Sequence, residues 1–399
     1  MFKSLISLKG RLCLLLLPCL FSGSLFAGNN QYGKKVSLTG NVAQMKYFYD
    51  ALNEVKSKKI RIAHFGDSII MGDIISEDLR IDMQKKFGGN GAGFISVYSD
   101  DNRMRATTFH TFSEDWNTAT LYKRNPQRLE LGISGTVAIP SASSWVKYDI
   151  NRNARWLKTF KTARVFYSNA QNNSAVKYTF NNAGQQSAKL KAGSGVQELQ
   201  LNANNASSLK LECGGAQGTH FYGVSFENGN GVYVDNFPVK GNSGVSLVDI
   251  PVSMMKDFKK YLDYKLIIIN FGVNVVSSEQ KNYTWYENKM VQVINEIKSA
   301  FPNTSILIVS IGDKSIKKGA NFVSDPAIQQ VLKAQQNIAN KAGVAFWNLY
   351  EAMGGQNSIS KWVSSAPPLA IRDYTHLTSD GGKVVGDLLM QALMEKSGK

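Results

Sequence analysis

The chain has 399 residues, 43 % of them apolar and 19 % charged, with three cysteines and a formal net charge of +16. That length supports one large core plus a second module. The cations are spread along the chain without a long polybasic block, which argues against one defined basic patch, and there is no low-complexity tract.

Lys3, Lys9 and Arg11 flank the start of an apolar run over residues 12–20, and a small-residue stretch follows to Ala27. This pattern predicts a secretory signal peptide over residues 1–27, cleaved near Ala27. The apolar run is short for a membrane span, and nothing later offers about 18 consecutive apolar residues, so no transmembrane helix is expected. Removing the leader removes Cys13 and Cys19, leaving Cys213 as the single thiol and excluding an intrachain disulfide. It also removes three cations and no acids, so a charge of about +13 remains and favours anionic polymers. Export argues against nucleic acid as a partner.

From residue 59 the pattern alternates. Residues 60–65 read as a strand ending at Gly66, and 74–87 as a helix with Ile75, Leu79, Met83 and Phe87 on one face. Between about 105 and 230 short runs of period-two alternation take over, at 176–180, 188–191, 198–201 and 208–213. Turn residues at 181–184, 193–195 and 202–205 separate them. This predicts an inserted all-β sandwich, over 105–230, between two α/β segments, 28–104 and 231–399. Strands at 231–237, 266–271, 305–311 and 344–349 then alternate with helices at 248–262, 285–301, 326–342 and 379–396. Strand and helix repeated in this way predict a parallel sheet covered on both faces.

In such a sheet, ligands sit beyond the carboxyl ends of the strands. Ser68 follows the first strand, Gly244 follows the strand at 231–237, and Asn274 follows the buried strand at 266–271. Asp373 and His376 lie between the last strand and the final helix. These five residues converge by topology, and acyl transfer needs such a set. Ser68 attacks, His376 takes its proton and Asp373 stabilises the resulting imidazolium. The N–H groups of Ser68 and Gly244 and the Asn274 amide would form an oxyanion hole. Asp67, adjacent to Ser68, is expected to brace the turn through backbone donors. His64 reads as a packed core residue, while His110 and His220 read as surface or turn residues. No cluster has metal-site spacing.

Gly66-Asp67-Ser68, Gly244, Gly272-Val273-Asn274 and Asp373-x-x-His376 resemble, in order, the four blocks of the SGNH, or GDSL-type, hydrolases. The resemblance implies a flavodoxin-like three-layer α/β/α sandwich and a serine esterase needing no metal or cofactor. The β insertion behind a signal peptide is similar to that of the peptidoglycan O-acetylesterases, whose insert resembles a carbohydrate-binding module. Two departures stand out. Val275 occupies a place where the family often has Asp, and apolar Ile69 and Ile70 follow the serine, where they would narrow the acyl pocket toward acetyl.

The expectation is a secreted esterase, periplasmic or wall-associated, that removes O-acetyl groups from a glycan, with peptidoglycan as the favoured substrate. An O-acetyltransferase using the same residues, and a non-catalytic glycan-binding protein, are the alternatives. Trp145, Trp156 and Tyr222 of the insert are candidate sugar platforms. The sequence leaves the oligomeric state open.

Overall fold

The computed structural model describes residues 32–99 and 101–398. The leader expected over 1–27 lies outside the described residues. Five parallel strands form the central sheet: β1 (Lys59–Gly66), β2 (Gly231–Pro238), β3 (Tyr264–Asn270), β4 (Ser305–Val309) and β5 (Ala345–Trp347). Their spatial order is β2-β1-β3-β4-β5, and Thr39–Gly40 adds a short antiparallel edge beside β5. That is the flavodoxin-like order, with its switch point between β1 and β3.

Strict alternation explains why this sheet is buried twice. Ile267 and Ile269 of β3, with Ile306 and Ile308 of β4, point into one apolar layer. Their neighbours Leu266, Ile268, Leu307 and Val309 point into the other. Helices α2 (Val252–Lys259), α3 (Thr284–Ala300) and α4 (Ile328–Ala342) cover the first face through Phe258, Met290, Ile297 and Val331. Helices α1 (Ser76–Phe87) and α5 (Ser379–Met394) cover the second through Leu79, Met83, Leu388 and Leu393. Pro251 precedes α2, and Thr378 caps α5 by accepting from the Gly381 N–H at 3.1 Å. No helix among the described residues is long and apolar enough to cross a membrane.

The connection from α1 to β2 carries two antiparallel sheets. One has the order Gln186–Lys189, Ala175–Phe180, Ser208–Glu212, Trp145–Ile150, Thr108–Phe112. The other runs Gln197–Ala206, Phe160–Ser168, His220–Asn228, Thr136–Ile139, Asn117–Thr120, and it also takes Asn90–Ser96, which pairs with His220–Asn228. Tyr148, Leu209, Val165 and Phe226 fill the core between them. The outer face of the second sheet packs on the α/β layer, where Phe94 and Tyr222 meet Phe258 of α2. Cys213 is buried in this region, and burial pushes its thiol well above the usual range.

Residues 202–205 are not the turn that their asparagines suggested. The strand runs through them to Ala206 with a break in register after Asn202, and the next strand begins in the opposite sheet.

His64 and His110 are both buried among these layers. His110 is thereby corrected from a surface residue: it stacks on Tyr148 with centroids 4.8 Å apart, and its Nε2 lies 3.0 Å from the Val97 carbonyl. Burial pushes His64 down to about 4 and His110 down to about 3, from 6.5. The unfolded chain therefore takes up protons below 6.5 that the fold refuses, and stability is lost as pH falls from 6.5 through 4. Asp67, which burial pushes up to about 6 from 3.8, acts in the opposite sense between those values, but its shift is smaller than the two imidazole shifts together. Unfolding midpoints between pH 6.5 and 4 are expected to fall, and His110→Gln is expected to flatten that slope. Equal slopes for the two proteins would refute the assignment of His110 as a buried neutral imidazole.

Candidate active site

The turn after β1 begins with Asp67. Its carboxylate accepts from the Ile69 N–H at 3.0 Å, Gly272 N–H at 3.1 Å and Val273 N–H at 3.3 Å. One buried side chain thus ties the loop after β1 to the loop after β3 across the switch point. Burial raises the Asp67 carboxyl and these three donors oppose the rise. Gly66 must be glycine here, because a Cβ would lie 2.7 Å from the Asn270 carbonyl oxygen. Ser68 then opens a short 3-10 turn, with its N–H at the start of that turn.

At the other end of the chain, the Asp373–His376 segment is self-organising. Asp373 Oδ1 accepts from the Thr375 N–H at 2.9 Å and the His376 N–H at 3.0 Å, which closes the turn. Its Oδ2 is left 2.6 Å from His376 Nδ1. His376 Nε2 in turn lies 2.8 Å from Ser68 Oγ. The line Asp373, His376, Ser68 is continuous, and it joins residues separated by most of the chain. Burial works against ionising Asp373, but the hydrogen bonds from the His376 backbone and ring outweigh it and hold the carboxyl below its ordinary range. Both side chains are open to solvent, with His376 35 % and Asp373 43 % exposed.

Gly244 and Asn274 reach the same edge of the sheet, and both are engaged by Asn242. The Gly244 N–H donates to Asn242 Oδ1 at 2.7 Å, and Asn274 Nδ2 donates to the Asn242 carbonyl at 3.0 Å. Gly244 has φ +93°, and a Cβ on it would come within 2.9 Å of the Phe271 ring. Asn242 was not singled out from the sequence, although an asparagine two residues before a glycine is a signal for this kind of turn. Val275, in the place where an acid is common, packs against the apolar layer with its N–H on the Gly272 carbonyl.

Beside these residues runs a cleft lined by Ile69, Phe271, Val273, Ile311, Lys314 and Thr375. Ile70 is not at its mouth as expected: it is fully buried, so only Ile69 narrows the opening. Behind Ile70, His64 Nδ1 meets Ser76 Oγ at 2.9 Å, Ser76 donates to Asn236 Oδ1 at 3.0 Å, and Asn236 Nδ2 donates to the Ile70 carbonyl at 3.0 Å. This buried chain fixes the floor of the serine turn. Tyr222 is buried and cannot serve as a sugar platform; Trp145 and Trp156 remain partly exposed.

No family model matches the sequence, and no curated protein matches it at a significant level. Solved structures do. A peptidoglycan O-acetylesterase superposes with a TM-score of 0.74 over 90 % of this chain and 99 % of its own, at 19 % identity. The chain has an SGNH-type esterase fold. An acetyl xylan esterase aligns with 40 % of this chain and 81 % of its own, at 17 % identity and a TM-score of 0.31. A family two carbohydrate esterase from Cellvibrio japonicus aligns with 72 % of this chain and 98 % of its own, at 10 % identity and a TM-score of 0.29. These two superpose too loosely to add to the first. Within the SGNH fold, the ends of β1, β2 and β3 and the turn before α5 all meet at one edge. Ser68, His376 and Asp373 are in direct contact, while Gly244 and Asn274 are joined to each other through Asn242.

Proposed function

We propose that this chain is an exported serine esterase that removes O-acetyl groups from a cell-wall glycan, peptidoglycan above all. The observation that carries the reading is the unbroken contact from Asp373 through His376 to Ser68. Ser68 Oγ attacks the acetyl carbonyl while His376 Nε2 accepts its proton, and Asp373 holds the ring and stabilises the imidazolium. The proton passes to the departing sugar oxygen as the ester bond breaks, leaving an acetyl group on Ser68. Water, deprotonated by His376, releases acetate and restores the serine.

The negative oxygen of each tetrahedral intermediate is stabilised by the N–H groups of Ser68 and Gly244 and by Asn274 Nδ2. For Gly244 this requires its N–H to leave Asn242 Oδ1. A charge-assisted bond to the oxyanion is roughly twice as strong as the neutral bond it replaces, so the exchange is favoured only when negative charge develops. The preference for an acetyl ester on a polymer is supported by an exposed His376, a cleft narrowed by Ile69, and a likeness that spans nearly the whole of an O-acetylesterase. The positive net charge and the leader pattern support a place outside the inner membrane.

Acetate release from O-acetylated peptidoglycan, compared with release from an acetylated xylan, tests this assignment. Faster release from peptidoglycan is expected. Release from xylan alone would refute the substrate, and transfer of acetyl to an added glycan in place of free acetate would refute hydrolysis.

A further inference from the structure

After β4 the chain leaves the sheet as a hairpin that the sequence did not predict, Ser315–Lys318 against Asn321–Ser324. Its base is fixed inward. Asp313 accepts from Ser324 Oγ at 2.6 Å and from the Ile359 N–H at 3.0 Å, and Asp325 accepts from the Ala327 N–H at 3.0 Å. Both carboxylates of the segment are buried, so neither faces the hairpin's outer side.

The hairpin is docked on the His376 turn. The Ser315 N–H donates to the Tyr374 carbonyl at 2.9 Å, and the Phe322 ring lies on the Tyr374 ring with centroids 3.7 Å apart and planes at 8°. Tyr374 stands between Asp373 and His376 in the left-handed region, at φ +56°. Hairpin and imidazole are therefore held as one unit. Lys314, at the hairpin's base, lines the same cleft as Asp67, Ile69 and Thr375. Phe322 remains 37 % exposed.

Some surface lysines have carboxylate partners, as Lys34 has Glu351, Lys58 has Glu54 and Lys383 has Asp387, and others, such as Lys333 and Lys289, have none. Among the described residues, Lys314, Lys317, Lys318 and Arg372 have none. Four cations gathered on one short hairpin and the adjoining turn repel one another unless an anion joins them. We propose that this rim is a subsite for the carboxylates of an anionic glycan, holding the polymer while its acetyl group reaches Ser68. The inference rests on the esterase reading and names the groups that would give it a charged polymer as substrate.

The test compares the triple variant Lys314→Gln, Lys317→Gln, Lys318→Gln with the wild type on O-acetylated peptidoglycan fragments and on 4-nitrophenyl acetate. The ratio of kcat/KM on the glycan to that on the small ester is expected to fall about tenfold, through KM, and added salt is expected to produce a similar rise in KM for the wild type only. An unchanged ratio overturns the proposal. So does equal wild-type activity on fragments whose carboxylates have been amidated. Binding of the same fragments to the Ser68→Ala chain, with and without the three lysines, reads the rim without turnover. A loss of affinity there supports the rim even if the wild type hydrolyses neither substrate, an outcome that would sink the esterase reading alone; equal affinity overturns the rim.

Discussion

Ser68→Ala is expected to lower kcat on an activated acetyl ester by about 10⁴- to 10⁶-fold, because one hydroxyl carries both nucleophile and transferable proton. Among the described residues the Ser68 hydroxyl bonds to His376, and Ser68 is only partly buried, so the substitution leaves no large cavity and no orphaned buried group. The urea midpoint is therefore expected to stay where it is. Asp373→Asn should act in the same direction by a different route. An amide that keeps its oxygen on the Thr375 and His376 N–H groups presents NH₂ to His376 Nδ1 and enforces the wrong tautomer, at a cost of about 10³- to 10⁴-fold in kcat. Rates are read from acetate release with the folded state checked by circular dichroism. Retained activity in Ser68→Ala would place the nucleophile elsewhere.

The second large effect is on stability. Arg61 of β1 is 2 % exposed and joins the hydrolase sheet to the inserted one. Its Nη1 lies 2.6 Å from Glu227, and its Nη2 and Nε lie 2.7 Å and 3.0 Å from Asp235. Glu227 is reached as well by Lys59 at 2.6 Å and Arg164 at 3.1 Å, while Tyr264 donates to Asp235 at 2.7 Å. Burial opposes ionisation of Glu227, but Arg61, Arg164 and Lys59 more than offset it and hold the carboxyl far below its ordinary value. Removing Arg61 leaves the buried Asp235 without a cationic partner, while Glu227 keeps Lys59 and Arg164. Arg61→Ala is expected to cost about 3–5 kcal/mol in denaturant unfolding. Arg61→Lys should recover only part of that, since an ammonium cannot reproduce the fork between the two acids. A loss below about 1 kcal/mol for Arg61→Ala would show that the carboxylates are adequately held by their other partners.

Where side chains followed the period of their element, the fold was legible. The run from Leu266 reads as a doubly buried strand because Leu and Ile occupy both faces, and Pro251 and Pro302 mark helix limits through the missing N–H. Thr108–Phe112 illustrates the opposite case. Its inward residues are Thr108, His110 and Phe112 while Phe109 faces out, so polarity runs against burial and the alternation misleads. The hairpin near the site escaped notice because Lys317, Lys318 and Asn321 give it no apolar period at all. At the candidate site, Ser68, Gly244, Asn274, Asp373 and His376 stand out in the sequence because glycine turns, amides and an Asp-x-x-His segment sit at strand ends, and the contact of the first with the last two is seen in the fold. The engagement of Gly244 by Asn242 could not be read in that way. It depends on which acceptor a single N–H faces, and that is settled by a few tenths of an ångström within one turn.

The antiparallel edge at Thr39–Gly40 has a consequence for processing. It occupies the outer hydrogen-bonding side of β5, and the segment leading into it is pinned by the Lys34 N–H on the Ala352 carbonyl and by Trp347 Nε1 on the Val36 carbonyl at 3.0 Å. A protease that trimmed the chain past this strap would uncover a row of unpaired backbone groups on β5, a template for strand addition between molecules. The tolerable limit of N-terminal trimming is thus set by solubility before it is set by catalysis, since the strap lies at the opposite edge of the sheet from β2.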